Sequence, residues 1–443
     1  MATTNTSPMD VLRLVFLFLL MFTRVTSMAV RQKDTGTVTL RDRWQAKGKV
    51  IKPDENVIFF PTACYQSSTE SNDEWILPIH GWIFDPEKKS LRRRAFVALL
   101  RRAVLDRGQK NHNKLDDNDP EQMLLEKTDI GAAAAKTILT RRVYPFIVDN
   151  HRQRQITIQV GDVTTELAER SGKDGHFEAT IKLTREELNA AGAMLSGNNN
   201  NDNEHVIRYQ AVTGIPNDPR SFEGESYLVP STGLSVISDI DDTVKISHVL
   251  ETKRLMRHTF LEEFEAVPGM AQLYKSWKDT HNASFHFVSS SPWQIYPELA
   301  SFFSREGFPD AASFHLKTVR LKDRLDRTLL NLFADPMTSK IDKISNIMDI
   351  YPKRTFVLVG DTGERDPEVY GEICRRYPKQ VQRVFLRDVT SDLSEQVLEH
   401  LAKKEEKRQT GIIINAPDRF EKAFEGVPSE TWSLFTDATT IEL

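Results

Sequence analysis

Cysteine is nearly missing from this chain: Cys64 and Cys374 stand 310 residues apart in 443. Two such residues make no disulfide framework, and no Cys/His cluster has the spacing of a zinc site. Each reads as a small buried hydrophobe, the usual fate of a free cysteine. An excess of one charge is also lacking. A formal net charge of −4 gives no reason to expect nucleic acid as a partner and no global pull toward anionic membranes. Long apolar runs are scarce. Leu14–Phe22 is nine residues, against the roughly 20 that span a bilayer, and nothing after residue 28 is long enough. With Val25-Thr26-Ser27 behind it, that run suits the apolar core of a signal peptide. Asp10 and Arg13 fit that pattern poorly, so residues 1–27 stay open between a cleaved signal, an uncleaved anchor or presequence, and a start at Met28. The first two would direct the chain to the secretory pathway or an organelle membrane, the third to the cytoplasm.

What is present is a core. Hydrophobic content of 39% and charged content of 28% fit a soluble globular protein, and the length suggests two or three domains. Residues 28–48 are polar and basic and read as a linker. From 49 to 231 short alternating stretches (WILPIHGWIF at 75–84, RQITIQVGD at 154–162, HFEATIKL at 176–183, HVIRYQAVT at 205–213) predict an antiparallel, sandwich-like β-rich domain. It carries a helix over 90–105, a short helix at Ala132–Ala135 and an exposed loop at Asn198–Asn203. Five arginines on the 90–105 helix (Arg92, Arg93, Arg94, Arg101, Arg102) are either a face for anionic lipid or an ordinary solvated face.

After Gly233 the grammar changes. Apolar strands (SVIS, SFHFV, FHLKTV, TFVLVG, VQRVFL) alternate with helical stretches through residue 410, which predicts an α/β domain with a parallel sheet covered on both faces. Residues 411–443 form a C-terminal extension packed on that domain. In open sheets of this kind ligands sit at the carboxyl ends of the strands, and the chemically unusual residues fall there. The first strand ends in Asp239-Ile240-Asp241-Asp242-Thr243, the second in Ser289-Ser290-Ser291-Pro292, and TFVLVG in Gly360-Asp361-Thr362-Gly363-Glu364-Arg365-Asp366. A helix before that last strand opens with Ser339-Lys340.

Carboxylates this close repel and raise one another's pKa, so a cation or a reacting phosphate is the natural reason to keep them. An EF-hand is excluded: counted from Asp239, Val244 stands where glycine is needed and Leu250 where glutamate is needed. Phosphoryl transfer accounts for the set, with a carboxylate nucleophile, a carboxylate acid/base, hydroxyl and ammonium donors, and oxygen ligands for Mg2+. Ser291-Pro292 also has the form of a helix N-cap with proline at N1, so Ser289 is the better phosphate donor. Asp366-Pro367 has the same form, leaving Asp366 between cap and metal ligand. Asp242 finds no partner at another strand end and reads as a supporting acid.

The four motifs DxDxT, serine, lysine and GDxxxxD, in this order at strand ends, resemble those of the haloacid dehalogenase superfamily. The segments SDIDDTVKISHV, FHFVSSSPWQIYPEL, FVLVGDTGERDPEVYGEI and GESYLVPSTGLSVISDIDDT resemble the actin-patch-protein type of phosphatidate phosphatase over roughly residues 49–437. The resemblance implies a Rossmann-like catalytic domain and Mg2+-dependent hydrolysis of phosphatidate to diacylglycerol and phosphate. Asp239 would be nucleophile and metal ligand. Asp241 would be general acid/base, with its carbonyl on the metal. Thr243, Ser289 and Lys340 would bind phosphate, and Asp361 would hold Mg2+ with Asp366 or Glu364 in support. It implies peripheral contact with phosphatidate-bearing membranes. The chain shows no proline-rich tail for actin-patch adaptors. A soluble phosphomonoester or phosphoprotein as substrate, and a non-catalytic adaptor role, are the alternatives.

Overall fold

The computed structural model describes residues 50–67, 74–86, 90–104, 131–191, 206–319, 337–391 and 418–443, with 393 and 398. All lie in one compact unit, Gly48–Leu443. The signal-like segment 1–27, the linker 28–48, the loops at 106–121 and 198–203 and most of the helix expected over 392–408 fall outside the described residues. No helix among the described residues is long and apolar enough to cross a membrane.

The first half builds on one long strand. After β1 (Asn56–Phe60) and β2 (Thr62–Gln66) comes β3 (Glu74–Asp85), whose side chains alternate between buried and half-buried. β1 and β2 pair along one edge of β3. The short β4 (Asp149–Asn150) and the antiparallel β7 (His176–Thr184) pair along the other. Gly81 is required in β3, because a Cβ there would sit 2.3 Å from the Phe177 ring of β7. The sheet continues through β9 (Glu223–Val229), β8 (Val206–Ala211), β5 (Thr157–Val160) and β6 (Val163–Glu166). One core cluster joins Ile158 and Val160 of β5 to Phe177 and Ile181 of β7, so the sheet curls until its far strands face one another. The sandwich expected from the sequence is therefore one curled sheet. It is also not wholly antiparallel, since β2 and β9 pair in parallel.

Two helices leave this sheet: α1 (Ser90–Val104) and α2 (Ala132–Ile147). The second is far longer than the Ala132–Ala135 stretch suggested, and Arg142 sits on its buried face. The guanidinium is 1% exposed. It donates to the carbonyls of His258 (2.9 Å), Thr259 (2.9 Å) and Glu262, and to Glu298 at 3.2 Å. The His258 and Thr259 carbonyls are among those left open at the end of a helix, here α4 (Thr252–Phe260), and Glu262 lies two residues beyond it; the short α3 (Arg185–Ala190) lies between α2 and α4 in the chain.

The second half is a six-stranded, fully parallel sheet in the order β12-β11-β10-β13-β14-β15. Its strands are β10 (Thr232–Ser238), β11 (Ser284–Pro292), β12 (Ala311–Lys317), β13 (Lys353–Asp361), β14 (Val381–Arg387) and β15 (Trp432–Phe435). The crossovers use α4, α5 (Met270–His281), α6 (Tyr296–Glu306), α7 (Met337–Ile350) and α8 (Asp366–Arg376). A short α9 (Arg419–Ala423) precedes β15. Neighbouring residues on a strand serve opposite cores. Val236 and Val357 join the cluster that holds Phe60 and Trp82 of the first half, whereas Ile237 and Phe356 join Ile344 of α7 and Ile373 of α8. Burial on both faces is why these strands are uninterrupted apolar runs. The joint between the halves is only Pro230-Ser231. Arg354 pins it by donating to the carbonyls of Pro230 (2.8 Å) and Thr232 (2.6 Å).

Candidate active site

From β10 the chain builds outward to β11 and β12, then returns to place β13 on the other side of β10. The strand order reverses between β10 and β13, and such a switch point opens a crevice at the carboxyl ends of the strands. Asp239 follows directly on β10 and Asp361 ends β13. The register puts Ser238 opposite Val359, and the Asp239 N–H donates to the Val359 carbonyl at 2.9 Å.

One side of the crevice gathers three carboxylates. Asp239, Asp361 and Asp366 are all buried, and each offers an oxygen within 4.8 Å of the other two. Gly360 makes room for this, since a Cβ there would meet Asp366 Oδ2 at 2.3 Å. Lys340, in the first turn of α7, donates to Asp239 Oδ1 at 2.9 Å and to Asp366 Oδ1. Asp361 Oδ1 accepts from the backbone N–H groups of Gly363 (2.6 Å) and Glu364 (3.1 Å). Its Oδ2 is buried with no hydrogen-bond partner among the described residues.

The electrostatics follow from that geometry. Burial, opposed by Lys340 and reinforced by Asp366 and Asp241, pushes Asp239 up to about 7. Burial and then Asp366 and Asp239 push Asp361 well above the carboxylate range. Burial works to lower Lys340, but Asp239 and Asp366 outweigh it and raise the ammonium well above its ordinary value. One lysine thus faces three buried acids, and an all-oxygen donor set with an orphaned oxygen fits a hard divalent cation. Asp366 is also not the helix cap its sequence suggested. Arg365 precedes the helix without a side-chain cap, and Asp366 Oδ2 instead accepts from the Asp361 N–H at 3.2 Å. Asp366 completes the trio; Glu364 gives its backbone N–H to Asp361, and its carboxyl, pushed well above the usual range by burial and by Asp239, faces the same group.

The other side of the crevice is built around Asp241, whose side chain is outside the trio. Its Oδ1 meets Lys245 Nζ at 2.7 Å and accepts from Ser247 Oγ at 2.7 Å. Its Oδ2 accepts from Ser289 (3.2 Å) and Ser291 (2.7 Å). Burial would raise this acid, but Lys245 and the hydroxyls of Ser247 and Ser291 win and lower it. Lys245 is itself 2% exposed and lies 4.7 Å over the Phe264 ring, against which Arg142 also stacks at 3.8 Å. Asp241 could reach a cation in the trio only through its backbone carbonyl.

The remaining sequence candidates have definite places. Thr243 Oγ1 lies 3.5 Å from Asp239 Oδ2, a long contact. Ser289 is where the second strand was expected to deliver it, and accepts from the Ser291 N–H at 2.9 Å. Ser291 is a correction: the helical turn after it has Pro292 in the cap position with no side-chain bond, and the Ser291 hydroxyl goes to Asp241 instead. Asp242 is the positive-φ residue of the loop (φ 57°) and accepts from the N–H groups of Ser247, His248 and Val249. That makes it the brace of the loop, a supporting acid that acts through the backbone around Ser247. Sequence reasoning missed Lys245 and Ser247. The one hint was a lysine placed in the otherwise apolar alternation that follows Thr243.

A switch-point crevice holding three buried carboxylates, a lysine and a separate hydroxyl-braced carboxylate defines a site for an anionic group together with a cation. Residues 234–388 match the family described as "Phosphatidate phosphatase APP1, catalytic domain", so this stretch of the chain is similar to that domain. Phosphatidate phosphatase APP1 of Saccharomyces cerevisiae is 32% identical over 185 residues, 40% of this chain and 30% of that one. An uncharacterized protein of Schizosaccharomyces pombe is 31% identical over 176 residues, 39% of this chain and 28% of that one. The chain thus spans less than a third of the length of either relative. A putative polysaccharide deacetylase structure from Bacillus anthracis, 9% identical over 56% of this chain and 76% of that one, has a TM-score of 0.13, too low to bear on the fold.

Proposed function

We propose that this site hydrolyses phosphatidate to diacylglycerol and inorganic phosphate, as a Mg2+-dependent phosphatase of the haloacid dehalogenase type. The observation that carries the reading is the meeting of Asp239, Asp361 and Asp366 within 4.8 Å, inside the segment matched by the phosphatidate phosphatase family. Those three carboxylates would hold the ion, joined by the Asp241 carbonyl. Bound Mg2+ offsets the negative charge that a phosphate brings to three buried acids.

The rest is the work of this chain's own residues. The Asp239 carboxylate attacks phosphorus: an Asp239 O–P bond forms as the bond from phosphorus to the glycerol oxygen breaks. Asp241 gives a proton to that leaving oxygen. It then takes one from the water that splits the aspartyl-phosphate, which frees phosphate and restores Asp239. Ser289 and Thr243 hydroxyls and the Lys340 ammonium meet the phosphate oxygens, where charge builds in the transition state. The resting Asp241 is an anion ringed by donors. An incoming phosphate competes for the Ser289 hydroxyl and, as a nearby anion, raises the proton affinity of Asp241.

Under this reading residues 232–410 are the catalytic domain, 411–443 complete it, and 49–231 are a β-rich domain beside it. Contact with the substrate's membrane is peripheral. A substrate panel tests the reading: phosphatidate vesicles beside soluble phosphomonoesters, each with Mg2+ and with EDTA. The expected result is Mg2+-dependent phosphate release from the vesicles. Release from soluble esters alone would replace the lipid, and release undiminished by EDTA would remove the metal.

A further inference from the structure

Arg419 lies beyond residue 388, where the family match ends, yet its guanidinium is buried against the loop that carries Asp361. Nη1 donates to the Thr362 carbonyl at 2.6 Å, and Nη2 donates to the Glu364 carbonyl. Nε and Nη2 also form a fork on Glu368, at 2.7 and 3.0 Å, which fixes the guanidinium plane. The Thr362 carbonyl and the Gly363 N–H are the two ends of one peptide group. Arg419 holds the oxygen end, and Asp361 Oδ1 takes the hydrogen end at 2.6 Å. The planarity of the peptide links the two bonds: turning one turns the other. With Oδ1 engaged this way, Oδ2 of Asp361 is the oxygen left free beside Asp239 and Asp366.

We propose that Arg419 is a positioning residue for the cation site, acting through the Thr362–Gly363 peptide to aim Asp361 Oδ2. This rests on the metal-site reading above. The C-terminal segment thereby supplies part of the catalytic centre without touching substrate. Lysine at 419 keeps the charge but cannot hold two carbonyls and a carboxylate in one plane.

The test uses the full chain and Mn2+ as a spin probe, counting free ion by electron paramagnetic resonance, with Mg2+ displacement as the second readout. Arg419→Lys is expected to weaken Mn2+ binding about tenfold, the range for partners that orient metal ligands. The Mg2+ concentration for half-maximal phosphate release should rise in parallel, with kcat at saturating Mg2+ recovering most of the wild-type value. Glu368→Gln, which frees the guanidinium while sparing its carbonyl bonds, should show a smaller shift of the same sign. It also carries the test if Arg419→Lys does not fold. Unchanged Mn2+ affinity in the variants, with wild type binding normally, overturns the role of Arg419. Absence of Mn2+ and Mg2+ binding in the wild type overturns the metal-site reading itself.

Discussion

Asp239 and Asp241 are two residues apart, equally buried, and live in opposite surroundings. Asp239 shares one lysine with Asp366 beside a third acid, Asp361, so its side of the crevice is short of positive charge. Asp241 has a lysine of its own and three serine hydroxyls, so its side is balanced and saturated. The difference shows how one loop can hold two acids for two tasks. On the proposed reading the underserved carboxylates take a cation, and the served one is held in place by its own lysine and hydroxyls. Sequence spacing alone does not distinguish the two, because Lys340, Asp361 and Asp366 on one side and Ser289 and Ser291 on the other come from distant segments.

The largest effect that would break this contrast is at Asp239, the proposed nucleophile. Asp239→Asn keeps the shape and removes the attacking oxygen anion, and phosphate release should fall by at least about a thousandfold. Near-normal turnover would move the chemistry elsewhere. Next are the two lysines, compared by denaturant unfolding. Lys340→Met leaves three buried acids without a cation and should cost about 5 kcal/mol in EDTA, with much of it regained in Mg2+. Lys245→Met should cost about 3 kcal/mol, because Asp241 keeps its hydroxyls, and Mg2+ should regain none of it. Equal Mg2+ rescue of both would erase the distinction.

The two sides also differ in the sign of their pH dependence. Asp239 is raised from its ordinary 3.8 to about 7 in the fold. Its contribution to stability without metal is therefore full below 3.8 and lost as the pH rises through 7. Asp241 is lowered, so its contribution is present above its ordinary value and lost as the pH falls through its folded value. Unfolding in EDTA should show stability declining from pH 4 to 7, and Mg2+ or Asp239→Asn should flatten that slope. A slope indifferent to both would mean that Asp239 is ionised throughout. The smallest expected change is at Ser291. Ser291→Ala should lower kcat about tenfold with little change in Tm, the loss of a bond to a charged group. A lower Tm with kcat intact would return Ser291 to a helix-capping role.

Much of the second half was legible in the sequence because burial on both faces writes apolar strands plainly; Asp239, Asp241, Ser289 and Asp361 stand near their ends, with Lys340 and Asp366 in the first turns of helices beside them. The misreadings share a physical cause. Ser291 has the local form of a helix cap, and Asp366 stands open between cap and metal ligand until tertiary contacts show that their oxygens meet Asp241 and the Asp361 N–H. The helix Ala132–Ile147 was read only from its alanine run, because the rest of its buried face, with Arg142 in it, is defined by contacts with α4 and the residues after it. Asp242 tolerates the left-handed backbone of a tight loop, which no spacing rule reveals. The strand Trp432–Phe435 is four residues long and gains its identity from pairing with β14.

The Phe264 ring, held between Arg142 and Lys245, bears on modularity. A ring that joins an arginine of the first half to the lysine beside Asp241, over a core cluster shared by Phe60, Trp82 and Val236, makes the two halves poor candidates for exchange. A fragment beginning at Thr232 would keep every motif residue and still expose the surface that α1, α2 and β3 cover.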